Sequence, residues 1–249
     1  MALNNKENQR YSRHLLTQNI GEQGQLKLKQ ASILIVGVGG LGCAASQYLA
    51  ASGVGKITLV DHDKIELSNL QRQILFKTNH LNKNKVEVAQ NQLSGSNPMI
   101  EVIAINRSIL TFSEEQFNPY ELVLDCTDNF TARQFINECC LKAKVPVLSA
   151  SAIDGEGQLI FFDFSTPDSP CYKCVFPGKL QSSVNCSTSG VLSPLLGVIG
   201  SMQASQAIKI LIGMNVTAGQ LTSVNLWDFS FRQFTVHKQV ECKTCSVIN

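Results

Sequence analysis

The segment SILIVGVGGLG (residues 32–42) decides the fold of this chain. Its first part, SILIV (32–36), is a short apolar run with β-branched residues, which predicts a buried strand. The glycines that follow, Gly37, Gly39 and Gly42, have G-x-G-x-x-G spacing and lead into an Ala-rich helical pattern. A glycine turn between a strand and a helix points backbone N–H groups and the positive end of the helix dipole at a bound phosphate. The segment therefore predicts a Rossmann-like nucleotide-binding unit.

Downstream of this unit, apolar strand patterns alternate with helical patterns, which is typical of an α/β fold with a mainly parallel sheet. The run 157–164 follows strand 145–151 without an intervening helix, so we expect the sheet to become mixed there. Alternating residues in 221–238 predict a C-terminal hairpin. The predicted strands are 32–36, 56–61, 100–105, 120–128, 145–151 and 157–164, and the main predicted helices are 83–93, 111–117, 129–144 and 191–214.

The 249 residues are enough for one α/β domain with a full core. We find no linker and no internal repeat, and we predict a single domain over residues 1–249. Its predicted parts are an N-terminal arm of one or two helices (1–31), a nucleotide-binding core (32–151) and a region with the mixed sheet, a crossover loop and a metal site (152–249).

The composition excludes several classes of protein. A net charge of +2 is too small to argue for nucleic acid or an anionic membrane as partner. The N-terminus has no secretory signal, so we expect a cytoplasmic protein. Residues 191–214 are apolar over about the length of a membrane span, but Gln203, Gln206 and Lys209 are costly in lipid. A core or interface helix is the better interpretation, since Gly197, Ser201 and Ser205 form a small face that permits close packing.

Three further residues bear on the nucleotide. Asp61 ends the second strand, 19 residues after Gly42, where a carboxylate accepts hydrogen bonds from ribose hydroxyls. This pattern does not choose ATP over NAD, and a glycine turn can also serve packing alone. Arg72 and Lys85 do favour ATP, because charge that develops on a departing pyrophosphate needs preorganised cations, whereas hydride transfer does not. Each of the two could also be an ordinary solvated side chain, and both are expected on the surface of the cleft.

LVLDCTDN (122–129) places Asp128 just beyond a predicted strand, at the edge of the sheet where open α/β folds bind ligands. Magnesium bound to ATP is held through one or two protein carboxylates, so Asp128 is the first candidate ligand and Asp125 the second. Alternatively, Asp128 or Asn129 simply caps the following helix.

The chain has nine cysteines and no secretion signal, which argues against a disulfide framework. Cys171-x-x-Cys174 and Cys242-x-x-Cys245 are separated by 67 residues, and four thiolates in two close pairs suit a structural tetrahedral Zn²⁺ site. Two redox motifs are the alternative, but neither pair opens a helix after a strand.

Taken in order, GVGGLG, VDHDKIELSNLQRQILF, Lys85, LVLDCTDN, CYKC and CKTC resemble the ThiF/MoeB/HesA adenylyltransferases, relatives of the ubiquitin-activating enzymes. The resemblance covers roughly residues 10–245. It implies attack by the C-terminal carboxylate of a small ubiquitin-like sulfur carrier, ending in Gly-Gly, on the α-phosphate of ATP. The products are an acyl-adenylate and pyrophosphate, and the implied cofactors are ATP, Mg²⁺ and Zn²⁺.

The resemblance also implies roles for particular residues. Arg72, Lys85 and Asp128 are expected to be catalytic, with Asp128 holding Mg²⁺, and Arg13 is expected to reach into the ATP site of the partner subunit in a homodimer. The alternative for Arg13 is a solvated side chain on an N-terminal helix. The zinc ligands are expected to be Cys171, Cys174, Cys242 and Cys245. The residues expected to bind the nucleotide are Gly37, Gly39, Gly40, Gly42, Asp61, Ser68, Asn69, Leu70, Gln71, Arg72, Lys85, Thr127 and Asp128.

Two branches of the family remain open, one acting on the thiamine-pathway carrier ThiS and one on the molybdopterin synthase subunit MoaD. Residues 185–201 resemble the thiamine branch and residues 40–55 the molybdopterin branch, and we favour the former. Cys186 matches a cysteine that the thiamine branch uses to hold its carrier through sulfur, although it could be an unreactive loop thiol. Because the sequence ends just after Cys245, we expect a separate protein to donate the sulfur. A catalytically silent nucleotide-binding scaffold and an NAD-dependent oxidoreductase are the alternatives from other classes.

Overall fold

The structure is a computed structural model that describes residues 2–177 and 190–246. Its strands are β1 Ser32–Val36, β2 Lys56–Val60, β3 Glu101–Ile105, β4 Leu122–Asp125, β5 Val147–Ile153, β6 Glu156–Phe162, β7 Gln220–Asn225 and β8 Ser230–Thr235. They form one sheet in the order β3-β2-β1-β4-β5-β6-β7-β8. The strands β1 to β5 pair in parallel, and β6, β7 and β8 add in antiparallel fashion. The predicted parallel sheet that becomes mixed and ends in a hairpin is confirmed.

The α-helices within the described residues are α1 Asn5–Arg10, α2 Ser12–Leu15, α3 Gly21–Gln30, α4 Gly40–Ala51, α5 Lys85–Ser96, α6 Phe130–Ala143, α7 Tyr172–Val175 and α8 Ser193–Leu211. The N-terminal arm therefore has three helices where one or two were predicted. The helix predicted over 111–117 is wrong, because the backbone is extended at Phe112 and Ser113. Two short 3-10 turns, Ile109–Thr111 and Glu114–Phe117, stand in its place.

The sheet is buried on both faces, and β1 shows why its sequence is apolar throughout. Ile33 and Ile35 point into one core, which they share with residues of α3, α4, α5 and α8. Leu34 and Val36 point into the opposite core, which they share with residues of α6 and α7. A strand with two buried faces cannot alternate between apolar and polar residues, so a continuous apolar run is required.

In the part of the chain that the structure describes, no helix is both long and apolar enough to cross a membrane. The apolar helix α8 instead packs against α4 and the sheet. Gln203, one of the three polar residues that argued against a membrane span, is fully buried inside the protein.

The close contact between α8 and α4 is made at Gly200. A Cβ atom at this position would lie 2.7 Å from the Cβ of Ala44 and 2.8 Å from the carbonyl oxygen of Leu41. The small face that the sequence indicated points elsewhere: a Cβ at Gly197 would meet nothing within 4 Å, and Ser205 is exposed. Close packing therefore uses the neighbouring face of α8, because that face turns toward α4.

The two glycines make a matched pair for a stability measurement. We expect Gly200→Ala to lower the free energy of unfolding by about 1–3 kcal/mol, since the added methyl group is forced against the backbone of α4. Gly197→Ala lies on the same helix in open space and should raise it by about 0.5–1 kcal/mol through helix propensity. Urea unfolding of both variants checks this, and equal effects would contradict the packing assigned to Gly200.

Candidate functional site

The predicted site segments meet at the carboxyl ends of β1, β2 and β4. In the register of the sheet, Val36 at the end of β1 lies beside Asp125 at the end of β4 and beside Val60 at the end of β2. Helix α4, which follows β1, packs on one face of the sheet, and helix α6, which follows β4, packs on the other; this is the arrangement that forms a crevice in open α/β sheets. Open α/β sheets bind their ligands at such a switch point.

The glycines of the turn after β1 meet different spatial demands. Gly37 has a φ of 91°, and a Cβ there would lie 2.8 Å from the carbonyl oxygen of Cys126. A Cβ at Gly42 would lie 1.9 Å from the carbonyl oxygen of Gly37, and one at Gly40 would strike Leu196. At Gly39 the nearest atom would be 3.9 Å away, so the backbone of this residue is open to a phosphate. Gly37 thus allows the turn, Gly40 and Gly42 allow close packing, and Gly39 leaves its backbone accessible.

Asp61 fixes this turn from the end of β2. One oxygen of its carboxylate accepts the N–H of Val38 at 2.7 Å, and the other accepts the N–H of Asp63 at 2.9 Å. Each carboxylate oxygen has a second lone pair, so Asp61 can still accept hydrogen bonds from a ribose.

The segment after β2 holds the next predicted nucleotide residues in a 3-10 turn, Leu67–Asn69. The side chain of Asn69 is buried and accepts the N–H of Glu66 at 3.1 Å. Ser68 is exposed, and its carbonyl oxygen accepts a hydrogen bond from the Arg72 guanidinium at 3.0 Å. Leu70 packs against the core, and the carbonyl oxygen of the exposed Gln71 accepts a hydrogen bond from Ser193 at the start of α8.

The structure corrects the expected exposure of Lys85. This residue begins α5 and is only 6% exposed, and its ammonium forms an ion pair with Asp63 at 2.8 Å. The reason is that the chain after β2 runs directly over the start of α5, a tertiary contact that the helical pattern does not reveal. Neither Arg72 nor the exposed Arg13 on α2 forms an ion pair with any residue that the structure describes.

Asp125 does not suit its predicted second-choice role as a magnesium ligand. It is 2% exposed, and its carboxylate accepts hydrogen bonds from the N–H and the hydroxyl of Thr127 and from the hydroxyl of Ser149. These bonds also end β4 at Asp125, whereas the sequence predicted a strand to residue 128. Asp125 therefore shapes the loop and has no free face toward a ligand.

Asp128 stays open to the crevice. Helix α6 is capped by Asn129, whose side-chain oxygen accepts the N–H of Ala132 at 2.8 Å. Asp128 is exposed and makes no hydrogen bond to the residues described. A carboxylate that neither caps the helix nor pairs with a neighbour is available to a cation.

Two residues that support this loop were missed from the sequence. The Arg133 guanidinium donates to the carbonyl oxygens of Thr127 and Ala150. Burial lowers the pKa of Arg133, but the Asp125 and Asp128 carboxylates and the Tyr172 hydroxyl together outweigh that effect and raise it. A cation is unfavourable in the first turn of a helix, where the dipole is positive. An arginine at the predicted start of α6 was therefore the sign in the sequence that this residue has a specific partner.

Gln203 is the second residue whose role was missed. A polar side chain within an apolar helix was the sign in the sequence that it has buried hydrogen-bond partners. Its amide nitrogen donates to the carbonyl oxygens of Asp125 at 3.2 Å and Leu148 at 2.9 Å. Its oxygen accepts a hydrogen bond from the thiol of Cys126 at 3.2 Å. The side chain thereby ties α8 to the end of β4 and the start of β5.

The four cysteines of the two predicted pairs lie close together in the core that also contains residues of α6. The Sγ atoms of Cys171 and Cys174 are 3.9 Å apart, those of Cys171 and Cys242 3.7 Å, and those of Cys174 and Cys245 3.5 Å. A tetrahedral zinc with Zn–S distances of about 2.3 Å requires sulfur–sulfur edges of about 3.8 Å. The four thiols therefore fit such an ion and do not form two separate redox centres.

The surroundings of the cluster also suit thiolate ligands. The N–H of Gln239 points at the Sγ of Cys174, 3.4 Å away. Burial raises the pKa of Cys171 to about 12. Burial also acts to raise the pKa of Cys242, but hydrogen bonds from the backbone of Cys245 and Thr244 and from the thiols of Cys245 and Cys171 together outweigh it and bring that pKa to about 7. A metal ion must displace protons from this cluster, so metal affinity falls as the pH falls. The predicted thiol Cys186 lies outside the described residues.

Comparison with known proteins was made for the whole chain. The sequence pattern of the ThiF family matches residues 11–244. The molybdopterin-synthase adenylyltransferase of Escherichia coli K12 is 41% identical over 246 residues, covering 98% of both chains. The sulfur carrier protein ThiS adenylyltransferase of the same strain is 38% identical over 250 residues, covering 99% of this chain and 98% of its own.

Other relatives are longer, or similar in fold alone. The adenylyltransferase and sulfurtransferase MOCS3 of Drosophila persimilis is 40% identical over 249 residues, which are 98% of this chain but 55% of that protein, so the chain spans about half of such relatives. The crystal structure of E. coli MccB with ATP superposes with a TM-score of 0.79 at 24% identity, covering 95% of this chain and 74% of that one. At that identity the likeness shows the fold. The matching pattern and the full-length relatives establish that this chain belongs to the ThiF family.

Proposed function

We propose that this chain is an ATP-dependent adenylyltransferase that activates the C-terminal glycine carboxylate of a ubiquitin-like sulfur carrier and releases pyrophosphate. The observation that carries the proposal is the arrangement at the carboxyl ends of β1, β2 and β4. There the Asp61 carboxylate binds the open glycine turn through the N–H of Val38 and binds the N–H of Asp63, which pairs with the cation Lys85. The second cation, Arg72, belongs to the segment after β2. The names of the two full-length E. coli relatives, both adenylyltransferases, support the same chemistry.

The reaction needs no nucleophile from the protein. A carboxylate oxygen of the carrier forms a bond to the α-phosphorus, the bond from that phosphorus to the bridging oxygen breaks, and pyrophosphate leaves with the electron pair. The protein contributes orientation and stabilises the negative charge that grows on the leaving group. Arg72 and Lys85 supply this stabilisation from within the chain, and Arg13 supplies it from the partner subunit of a homodimer. Bound Mg²⁺, held through Asp128, would shield the phosphate charge.

We propose a ThiS-type carrier as the substrate, with a MoaD-type carrier as the second candidate. The two relatives are 38% and 41% identical to the chain, so overall similarity does not separate the candidates. Cys186 favours the ThiS-type carrier, because it matches the cysteine that the thiamine branch uses to hold its carrier through sulfur. A separate protein would donate the sulfur.

Carrier-dependent exchange of labelled pyrophosphate into ATP tests the proposal. We expect exchange with a ThiS-type carrier and none when its terminal glycine is removed. Exchange with a MoaD-type carrier alone would select the second candidate. A protein that binds ATP but exchanges no pyrophosphate with any Gly-Gly carrier would be a nucleotide-binding scaffold.

The first prediction concerns the two cations of the cleft. Arg72→Ala and Lys85→Ala should each slow pyrophosphate exchange by about 10²-fold, the scale of losing one preorganised electrostatic donor. Lys83→Ala is the matched control, because this exposed lysine lies two residues before Lys85. Exchange near the wild-type rate in either cleft variant, with the control unchanged, would remove that residue from the mechanism.

The second prediction concerns Arg13, which completes a partner's site only in a symmetric dimer. Arg13→Ala and Arg72→Ala should each be inactive alone. Mixtures that exchange subunits should regain activity, because one site of each mixed dimer then carries both arginines. Exchange of subunits is verified with differently tagged chains. Mixed dimers that stay inactive would place Arg13 in its own chain's site or outside catalysis.

The third prediction concerns the cysteine cluster, which we propose to be a structural zinc site. Purified protein should contain one zinc per chain, and Cys171→Ser or Cys245→Ser should lose it and unfold at lower temperature. Binding free energies of structural zinc are on the order of 10 kcal/mol, so the loss should be large. Cys139→Ser, a buried thiol outside the cluster, is the control. A metal-free preparation with an unchanged melting temperature would contradict the structural role.

A further inference from the structure

Beyond the cations themselves, the structure identifies the group that holds one of them in place. We propose that Asp63 is the positioning residue for Lys85 and sets the ammonium for the pyrophosphate half of ATP before the nucleotide binds. This inference rests on the proposed function for the identity of the ligand. It assigns a task to a carboxylate that the sequence motifs left without one.

Backbone contacts bring Asp63 and Lys85 together. The chain after β2 runs antiparallel to the chain that enters α5, with a bridge between Lys64 and Asn84. The N–H of Lys85 donates to the carbonyl oxygen of Asp63 at 3.0 Å, and the N–H of Ile65 donates to the carbonyl oxygen of Lys83 at 2.9 Å. The first residue of α5 is therefore held at a fixed position relative to the end of β2.

The side chains of Asp63 and Lys85 are also in direct contact. The Lys85 ammonium lies 2.8 Å from a carboxylate oxygen of Asp63, and the Lys85 side chain is 7% exposed. Within the described residues, Asp63 is the one acid that forms an ion pair with this lysine. A nearly buried ammonium is stable only beside a compensating charge, so Asp63 determines where this cation rests.

Asp63 is in turn fixed by the nucleotide turn. Its N–H donates to the Asp61 carboxylate, whose other oxygen accepts the N–H of Val38 in the glycine turn. One continuous chain of hydrogen bonds thus runs from Val38 through Asp61 and Asp63 to Lys85. It sets the distance between the residue expected to bind the ribose and the cation expected to bind the leaving group.

The ion pair leaves Lys85 able to bind phosphate. An ammonium has three N–H donors, and Asp63 accepts from it at one oxygen, so donors remain for phosphate oxygens. The Asp63 side chain is 53% exposed, which lets water screen its repulsion of a triphosphate. Asp63 should therefore strengthen ATP binding through the lysine more than it weakens binding through its own charge.

Calorimetric binding of ATP and of AMP, with Mg²⁺ and without any carrier, tests the proposal in the intact protein. Asp63→Asn should raise the Kd for ATP roughly tenfold, the scale of a lost charge-assisted hydrogen bond. The Kd for AMP should stay within about twofold of wild type, because AMP lacks the phosphates that Lys85 would hold. Asp63→Glu restores the charge and should recover part of the ATP affinity.

Glu101→Gln is the matched control, since it removes one exposed carboxylate that pairs with Lys56 at 3.5 Å. These two residues begin β3 and β2, so they lie at the opposite end of the strands from the site. The control variant should leave both affinities unchanged. Tighter binding of ATP to Asp63→Asn would make Asp63 a competitor of the phosphates and overturn the proposal. An equal loss for ATP and AMP, no loss at all, or a wild-type protein that binds AMP as well as ATP would overturn it too. A wild-type protein that prefers ATP but exchanges no pyrophosphate would refute the proposed function alone.

Discussion

The parallel pairing of β1 with β4 is the constraint on which the site depends. These strands are separated by 85 residues of sequence, yet their register places Val36 beside Asp125. The turn after β1 is thereby pressed against the loop after β4, where the positive φ of Gly37 and the absence of a Cβ allow contact with the carbonyl of Cys126. A phosphate turn and a loop with a free carboxylate can share a crevice only because no side chain separates them at this point.

Buried charges around the crevice are paired, and exposed charges are free. Asp125 lies near Arg133 and accepts three hydrogen bonds, and Lys85 lies against Asp63. Arg72 and Asp128, by contrast, have no ion pair among the described residues. A buried charge is stable only with a compensating partner, so the paired groups shape the site and stay in place. Arg72 and Asp128 can engage a charged ligand without first breaking an ion pair.

Local patterns were sufficient to predict the sheet and the nucleotide turn, because a doubly buried strand and a G-x-G-x-x-G turn are each specified by neighbouring residues. The failures at the site and in helix α8 depend on distant contacts. Asp125 is buried because Ser149 on β5 donates to it, and Lys85 is buried because Asp63 lies over it, 22 residues away. Gly200 faces α4 and Gly197 does not, although each is followed by a small residue four positions later. The spacing of small residues shows which residues share a face of the helix, but the packing partners decide which face turns toward α4.

The cysteine cluster and the crevice belong to one mechanical unit, because α6 connects them. Two cysteines of the cluster, Cys171 and Cys174, lie at the start of α7 and within it, and the N–H of Tyr172 in α7 donates to the side-chain oxygen of Asn137 in the middle of α6 at 2.8 Å. One turn earlier, Arg133 of the same helix holds the carbonyl oxygen of Thr127, next to Asp128. A helix is stiff along its axis, so a cluster that fixes α7 also fixes the direction of α6 and thus the loop after β4. The position of the four thiols is therefore linked to the crevice through the hydrogen bonds of the Asn137 and Arg133 side chains, although no cysteine of the cluster needs to touch a ligand there.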